Sequence, residues 1–243
     1  MKRVILCLTG ILFLGIPIPL FAAPIVFTGT SGSLSASASF DVSGTSLLVT
    51  LTNTSTSDVL VPADVLTAMF FTITGSPILT PVSALLGAGS TVFYDPDGQP
   101  AGGNVGGEWA YKTGLSGAPL GAASGISSTG IGLFGFSNFN GPDLEPPLAL
   151  DGPQYGILSS GDIESTGNGG ITGSGGLIKN SVVFTLSGLT AGYDLTGRIS
   201  NVSFQYGTSL NEPNVPVPEP GTLILLGSGL IGLVGYGRKK YHN

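Results

Sequence analysis

Two aspartates two residues apart, Asp95 and Asp97 in Asp95-Pro96-Asp97-Gly98, offer hard oxygen ligands of the kind calcium takes, with Asn104 and Glu108 near enough in sequence to contribute. The same four residues are a favoured turn, with proline and glycine at their preferred places, and the turn is the commoner use of such a stretch. Glu108 stands next to Trp109, and Tyr94, Tyr111, Phe134, Phe136 and Phe139 lie in the same third of the chain. A carboxylate beside aromatic faces suits a sugar ring, whereas core packing is the more frequent fate of such rings. Glycoside hydrolysis would need a pair of carboxylates. Glu108, Asp143, Glu145, Asp162 and Glu164 are available, and their spacing singles out no pair.

The residues that are missing decide more. The sole cysteine, Cys7, and the sole histidine, His242, lie close to the two ends. A body without either has no disulfide, no thiolate or imidazole metal site and no histidine acid–base. Turnover is therefore not expected, and calcium on Asp95 and Asp97 is the only cofactor the residues suggest.

Both ends have the character of addresses. Lys2-Arg3 precedes an apolar stretch from Val4 to Leu14, and Ala22-Ala23 supply small residues for signal peptidase, the layout of a secretory signal that would use the Sec export machinery. Cleavage is expected after Ala22 or Ala23. At the other end Pro218-Glu219-Pro220 is followed by 16 uncharged residues, Thr222 to Gly237, and then by Arg238-Lys239-Lys240. That length is the short limit for a membrane-spanning helix, and the basic triplet would stay on the cytoplasmic side.

Prolines on both sides of one acid, then an apolar run, then a basic cluster, on a chain with an N-terminal signal, closely resemble the PEP-CTERM sorting tail of bacterial exosortase substrates. The resemblance covers about the last 25 residues. It implies that an exosortase recognises Pro218, Glu219 and Pro220, that residues 222–237 hold the precursor in the inner membrane until cleavage, and that the body ends at the cell surface or outside the cell. It also implies an association with exopolysaccharide production and biofilm, hence a structural or adhesive role; a calcium-dependent carbohydrate-binding module is the alternative. In a bacterial protein the sequons Asn53-Thr54-Ser55 and Asn201-Val202-Ser203 carry little weight.

Between residues 24 and 217 only Lys112, Lys179 and Arg198 are basic, against 13 acids, a net charge of −10. No basic patch exists to release counterions, so nucleic acid is excluded as a partner. Leu34, Ala36, Ala38 and Phe40 alternate with serines, Ser43-Gly44-Thr45 turns, and Leu47, Val49 and Leu51 alternate with polar residues, which predicts a β-hairpin. Leu66–Thr74, Val182–Leu186 and Ile199–Tyr206 predict three more strands. From Gly98 to Gly176 lie 22 of the 40 glycines, interrupted by apolar islands at Trp109–Tyr111, Ile131–Phe136 and Tyr155–Leu158 that predict short strands joined by long loops. Gly169–Gly176 lacks the aspartate of a calcium-binding β-roll repeat. The expectation is an all-β chain, an antiparallel β-sandwich of jelly-roll type with Gly-rich loops, over residues 24–210. A Pro-rich stalk over residues 211–217 would then lead into the sorting signal at 218–240.

Overall fold

A two-residue alternation of apolar and small polar side chains suits a strand with one buried face. The computed structural model, which describes residues 23–94, 98–135, 138–145 and 149–218, places the two alternating segments in β2 (Leu34–Ser43) and β3 (Ser46–Asn53). They pair antiparallel across the turn at Gly44, with Phe40 opposite Val49 and Ser43 opposite Ser46. Ala36, Ala38, Phe40, Leu47, Val49 and Leu51 are fully buried, and the residues between them stay partly exposed. β1 (Ile25–Ser31) lies along β2, while β11 (Ser181–Ser187) and β5 (Thr80–Leu86) follow β3, giving a five-stranded antiparallel sheet in the order β1-β2-β3-β11-β5. Pro81 lies in an edge strand, where a missing N–H is tolerated, and the register slips beside it.

The second sheet faces the first. Its order is β13-β12-β4-β9-β10-β6, built from β4 (Leu66–Ile73), β6 (Thr91–Phe93), β9 (Ile157–Leu158), β10 (Leu177–Lys179), β12 (Ile199–Tyr206) and β13 (Asn214–Pro216). β7 (Ala110–Thr113) pairs with β8 (Ser124–Ser127), which pairs with β4. The fold is thus all-β, and among the described residues the strands named here pair antiparallel except β9 with β10.

β4 does not alternate. Leu66 to Phe71 are all buried because this strand is covered on both sides. Phe71 packs on Phe40 of the first sheet with ring centres 5.3 Å apart, and Phe70 packs on Phe134 of the Gly-rich middle at 6.2 Å. The middle is therefore a layer over the second sheet, with its own small core of Ala68, Phe70, Ala110, Ala118, Ala122 and Phe134. Gly125 in β8 makes the layer possible: a Cβ there would sit 2.9 Å from both Phe134 and Phe70.

Two local expectations are corrected, and one segment the sequence left unassigned takes a definite form. Of the three apolar islands, the Trp109–Tyr111 and Tyr155–Leu158 segments hold β7 and β9, whereas Ile131–Leu133 is a turn that delivers Phe134 to Phe70. Within Gly169–Gly176 the chain makes a single helical turn, α1 (Gly169–Thr172), capped by the Asn168 carboxamide accepting from Gly170 N–H. The stalk expected over residues 211–217 does not stand off the domain. Asn214, Val215 and Pro216 pair with Gln205, Phe204 and Ser203, and Val215 is fully buried. Spaced prolines specify extended backbone, and an edge strand is as extended as a free stalk.

Candidate functional site

The exit of the sorting segment is built by β12 and β13. Gln205 is wholly buried, and its Nε2 donates to the carbonyls of Tyr206, Ser209, Glu212 and Pro213 at 2.9–3.3 Å. Its Oε1 accepts from Asn214 Nδ2 at 3.1 Å. One side chain thus organises the whole β12–β13 connection. Glu212 closes the same loop by accepting from Thr208 N–H at 2.6 Å. Val215 then enters the space between the sheets beside Phe204 and the backbone of Gly29, and Val217 N–H donates to Val202 O at 2.9 Å. Pro218 is exposed and follows directly, lining a groove with Leu120, Asn201, Pro216 and Val217. Glu219, Pro220, Arg238, Lys239 and Lys240 lie outside the described residues, as do Ala22 at the other end and the apolar run 222–237. Ala23 is exposed. No helix among the described residues is long and apolar enough to cross a membrane.

Asp95 and Asp97, the candidate calcium ligands, also lie outside the described residues. Their sequence neighbours are committed elsewhere. Asn104 Oδ1 accepts from Gly106 N–H, and Glu108 Oε1 accepts from the N–H groups of Leu144 and Glu145, the latter at 3.2 Å. Among the described residues no group of three or more Asp, Glu, His or Cys side chains could hold a metal ion.

The aromatic residues mostly go to the core. Trp109 is fully buried against Phe184 with ring centres 4.9 Å apart, and Phe134, Phe139 and Tyr111 are buried as well. Tyr94 stays partly exposed and accepts from Ser165 N–H at 3.0 Å. Phe136 is outside the described residues.

Two carboxylate clusters do assemble. Glu108 is 7% exposed, with the charges of Asp143 and Glu145 close by. Burial pushes its carboxyl up to about 7, against the two N–H groups that favour the charged form, and the nearby acids add to the rise. An acid whose folded pKa exceeds its unfolded value binds more protons when folded. Its contribution to stability is then present at low pH and lost as pH rises from about 4.5 to 7. Glu108→Gln is expected to flatten that segment of the Tm–pH profile and to raise stability at pH 8 by about 1–3 kcal/mol; thermal melts of both proteins between pH 4.5 and 8.5 check this.

The second cluster joins Asp162 to Asp58, 104 positions away and absent from any sequence pattern. Asp162 Oδ1 accepts from Val59 N–H, and Oδ2 is buried with no donor among the described residues. Burial raises its pKa, and the charge of Asp58 adds to the rise. Asp58 is held below its ordinary value by Ile163 N–H and the Thr166 hydroxyl. Lys179 Nζ donates to Asp162 O at 2.8 Å and lies 5.0 Å from the centre of the Phe93 ring. These contacts clamp the β3–β4 connection to the loop over residues 159–168. Backbone N–H groups hold Glu108, Asp58 and Asp162 in place, and the Thr166 hydroxyl donates to both oxygens of Asp58.

Asn53 is equally committed: it is buried and donates to Ile157 O at 2.9 Å, so the first sequon is closed.

The comparison that finds a match falls on the exit, not on the body. The family model described as the PEP-CTERM protein-sorting motif matches residues 216–240, beginning at the last residue of β13. No curated protein and no solved structure matches the chain.

Proposed function

We propose, for a chain that carries a PEP-CTERM protein-sorting motif at residues 216–240, that the body is an exported surface or extracellular matrix protein with a structural or adhesive role, processed by an exosortase at Pro218-Glu219-Pro220. The motif supports export and a membrane-held precursor; the role after export is the step beyond it. The observation that carries the reading is the continuity between motif and fold. Pro218 leaves an ordered strand whose neighbours Val215 and Val217 are held by the core and by Val202, so the processing tripeptide is presented from a rigid platform. Preorganisation of this kind lowers the ordering cost of recognition.

The body's net charge of −10 with three cations suits hydration and divalent-cation bridging in a polysaccharide matrix better than contact with an anionic surface. Burial of Trp109, Phe134 and Phe139 leaves a calcium-dependent carbohydrate-binding module without the stacking surface these rings would have made.

The test is intact mass and terminal peptide mapping of the protein from membranes and medium of its source cells. The mature species is expected to start at Ala23 or Pro24 and to end close to Pro218. Replacing Pro218, Glu219 and Pro220 by alanine is expected to abolish processing, leaving a membrane-bound species that still carries Arg238–Asn243. A wild-type protein that retains Arg238–Asn243 throughout would overturn the exosortase reading. The matrix role predicts co-sedimentation of the mature protein with the cells' own polysaccharide, and no cleavage of it.

A further inference from the structure

The sandwich has two unlike ends. One is formed by the β2–β3 turn, the end of β4 at Ile73 and the start of β12 at Ile199. The connection over residues 188–198 passes from one sheet to the other there: Gly188 and Leu189 N–H donate to Thr45 O at the first sheet, and at the second the Tyr193 hydroxyl donates to Thr74 O and Thr74 N–H to Arg198 O. Both chain exits lie toward this end. β1 begins opposite Phe40, three residues short of Ser43, so Pro24 and Ala23 lead outward past the turn. β13 runs antiparallel to β12 with Pro216 opposite Ser203, so Val217 and Pro218 travel toward Ile199.

Charge is divided in the same way. The described ionisable side chains at the exit end are Asp41, Asp194 and Arg198, with Arg198 stacked 5.4 Å from the centre of the Tyr193 ring and attracting Asp194. At the opposite end stand Asp58, Asp64, Asp162, Glu164 and Glu212 with Lys179 as their one cation, placed there by the β3–β4, β12–β13 and 159–168 connections. Glu108, Asp143, Glu145 and Lys112 lie between the two ends, and exposed Asp151 lines a groove with Thr208, Ser209 and Leu210 beside the β12–β13 connection, at the acidic end. Removing the tail's basic cluster therefore leaves a body that is close to neutral where the chain leaves it and acidic where it does not.

Apolar side chains complete the exit end. Ile78 is 86% exposed, and Val26 on the outer edge of β1 and Leu120 are more than half exposed. Leu120 stands at φ +55°, in the left-handed region, and Asn201 Nδ2 holds its carbonyl at 2.6 Å beside Pro216–Pro218. Its backbone is kept in an unfavourable conformation while its side chain points to solvent. The exposed Leu60 and Ile163 of the far end are different, since their N–H groups bind Asp64 and Asp58. Bringing them to a membrane would desolvate those carboxylates. The tail fixes the distance. Its apolar run begins at Thr222, four residues after Pro218, a span of at most about 14 Å, against a headgroup layer about 5–8 Å thick, so the exit end stays within about 10 Å of the headgroups.

We propose that the exit end is a membrane-apposed face: in the precursor, Ile78, Leu120 and Val26 rest in the headgroup layer of the bilayer, and the acidic end points away from it. This rests on the reading of residues 222–237 as the membrane span. The occupant is a lipid surface rather than a second protein, because the chain leaves this face only four residues before the apolar run 222–237, and the N-terminal apolar segment, until it is cleaved, leaves from the same face.

The full chain with Cys7→Ser provides a background free of other cysteines. Single cysteines at Ile78 or Leu60 carry a fluorophore, and the protein is reconstituted into phosphatidylethanolamine–phosphatidylglycerol vesicles containing a headgroup nitroxide quencher. Quenching is expected to be several-fold stronger at position 78 than at position 60. Equal quenching, or stronger quenching at position 60, in protein that floats with the vesicles would overturn the membrane-apposed face alone. Failure to float would overturn the membrane-held precursor and this inference with it.

Discussion

Phe184→Ala is expected to destabilise the body by about 3–5 kcal/mol, the usual cost of removing a buried aromatic ring and leaving its cavity. Phe184 lies in the middle of β11, fully buried, between Val49 and Ala84 of the neighbouring strands. On its inner side it meets Trp109 at 4.9 Å and Phe139 at 5.3 Å, so one ring joins the first sheet to two separate parts of the Gly-rich middle. Because the middle also covers Phe70, loosening it should be felt across the sandwich. Urea unfolding followed by Trp109 fluorescence checks this, since Trp109 is the chain's single tryptophan. A loss near 1 kcal/mol would mean that the middle behaves as a set of loops with little share in the core.

Gly29→Val is expected to have the next largest effect, and a more local one. A Cβ at Gly29 would lie 3.0 Å from Val215 Cγ1 and 3.3 Å from Phe204 Cδ2. Two further methyl groups cannot fit without moving a strand, and overpacking of this kind costs about 1–3 kcal/mol. β13 is the element that can move, being three residues long and at the edge of its sheet. The expected result is increased proteolysis confined to residues 207–218, with the remainder of the body still resistant. Proteolysis spread evenly through the chain would show that β13 is no weaker than the strands around it.

Much of the fold was legible because its cause is local. The alternation in Leu34–Phe40 and Leu47–Leu51 and the intervening Gly44 specify a hairpin whatever surrounds it, and the observed pairing sets Phe40 opposite Val49 and Ala38 opposite Leu51, apolar against apolar. Val182–Leu186 and Ile199–Tyr206 were legible for the same reason. β1 and β5 were not, since Ile25–Ser31 has few large apolar residues and Thr80–Leu86 contains Pro81; each is held by a neighbour rather than by its own pattern. Trp109 was legible only as a preference, because a ring beside a carboxylate can meet a sugar although core packing is its more frequent fate. Only the position of Phe184 decides between them.

The sequence alone determined the C-terminal sorting motif, the absence of cysteine and histidine from the body, its acidity and its β-rich character. All of these are properties of composition or of short stretches, readable without knowing what lies next to what. Only the tertiary structure decided that the prolines before the sorting motif form an edge strand, that Asp58 faces Asp162 across 104 positions, and that both chain exits share one end with little charge. Each of these depends on which distant segments meet. That is settled by burying Val215 and Phe184 in the main core and Phe70 in the smaller core under the Gly-rich middle, a free-energy balance over the whole domain that no local pattern encodes.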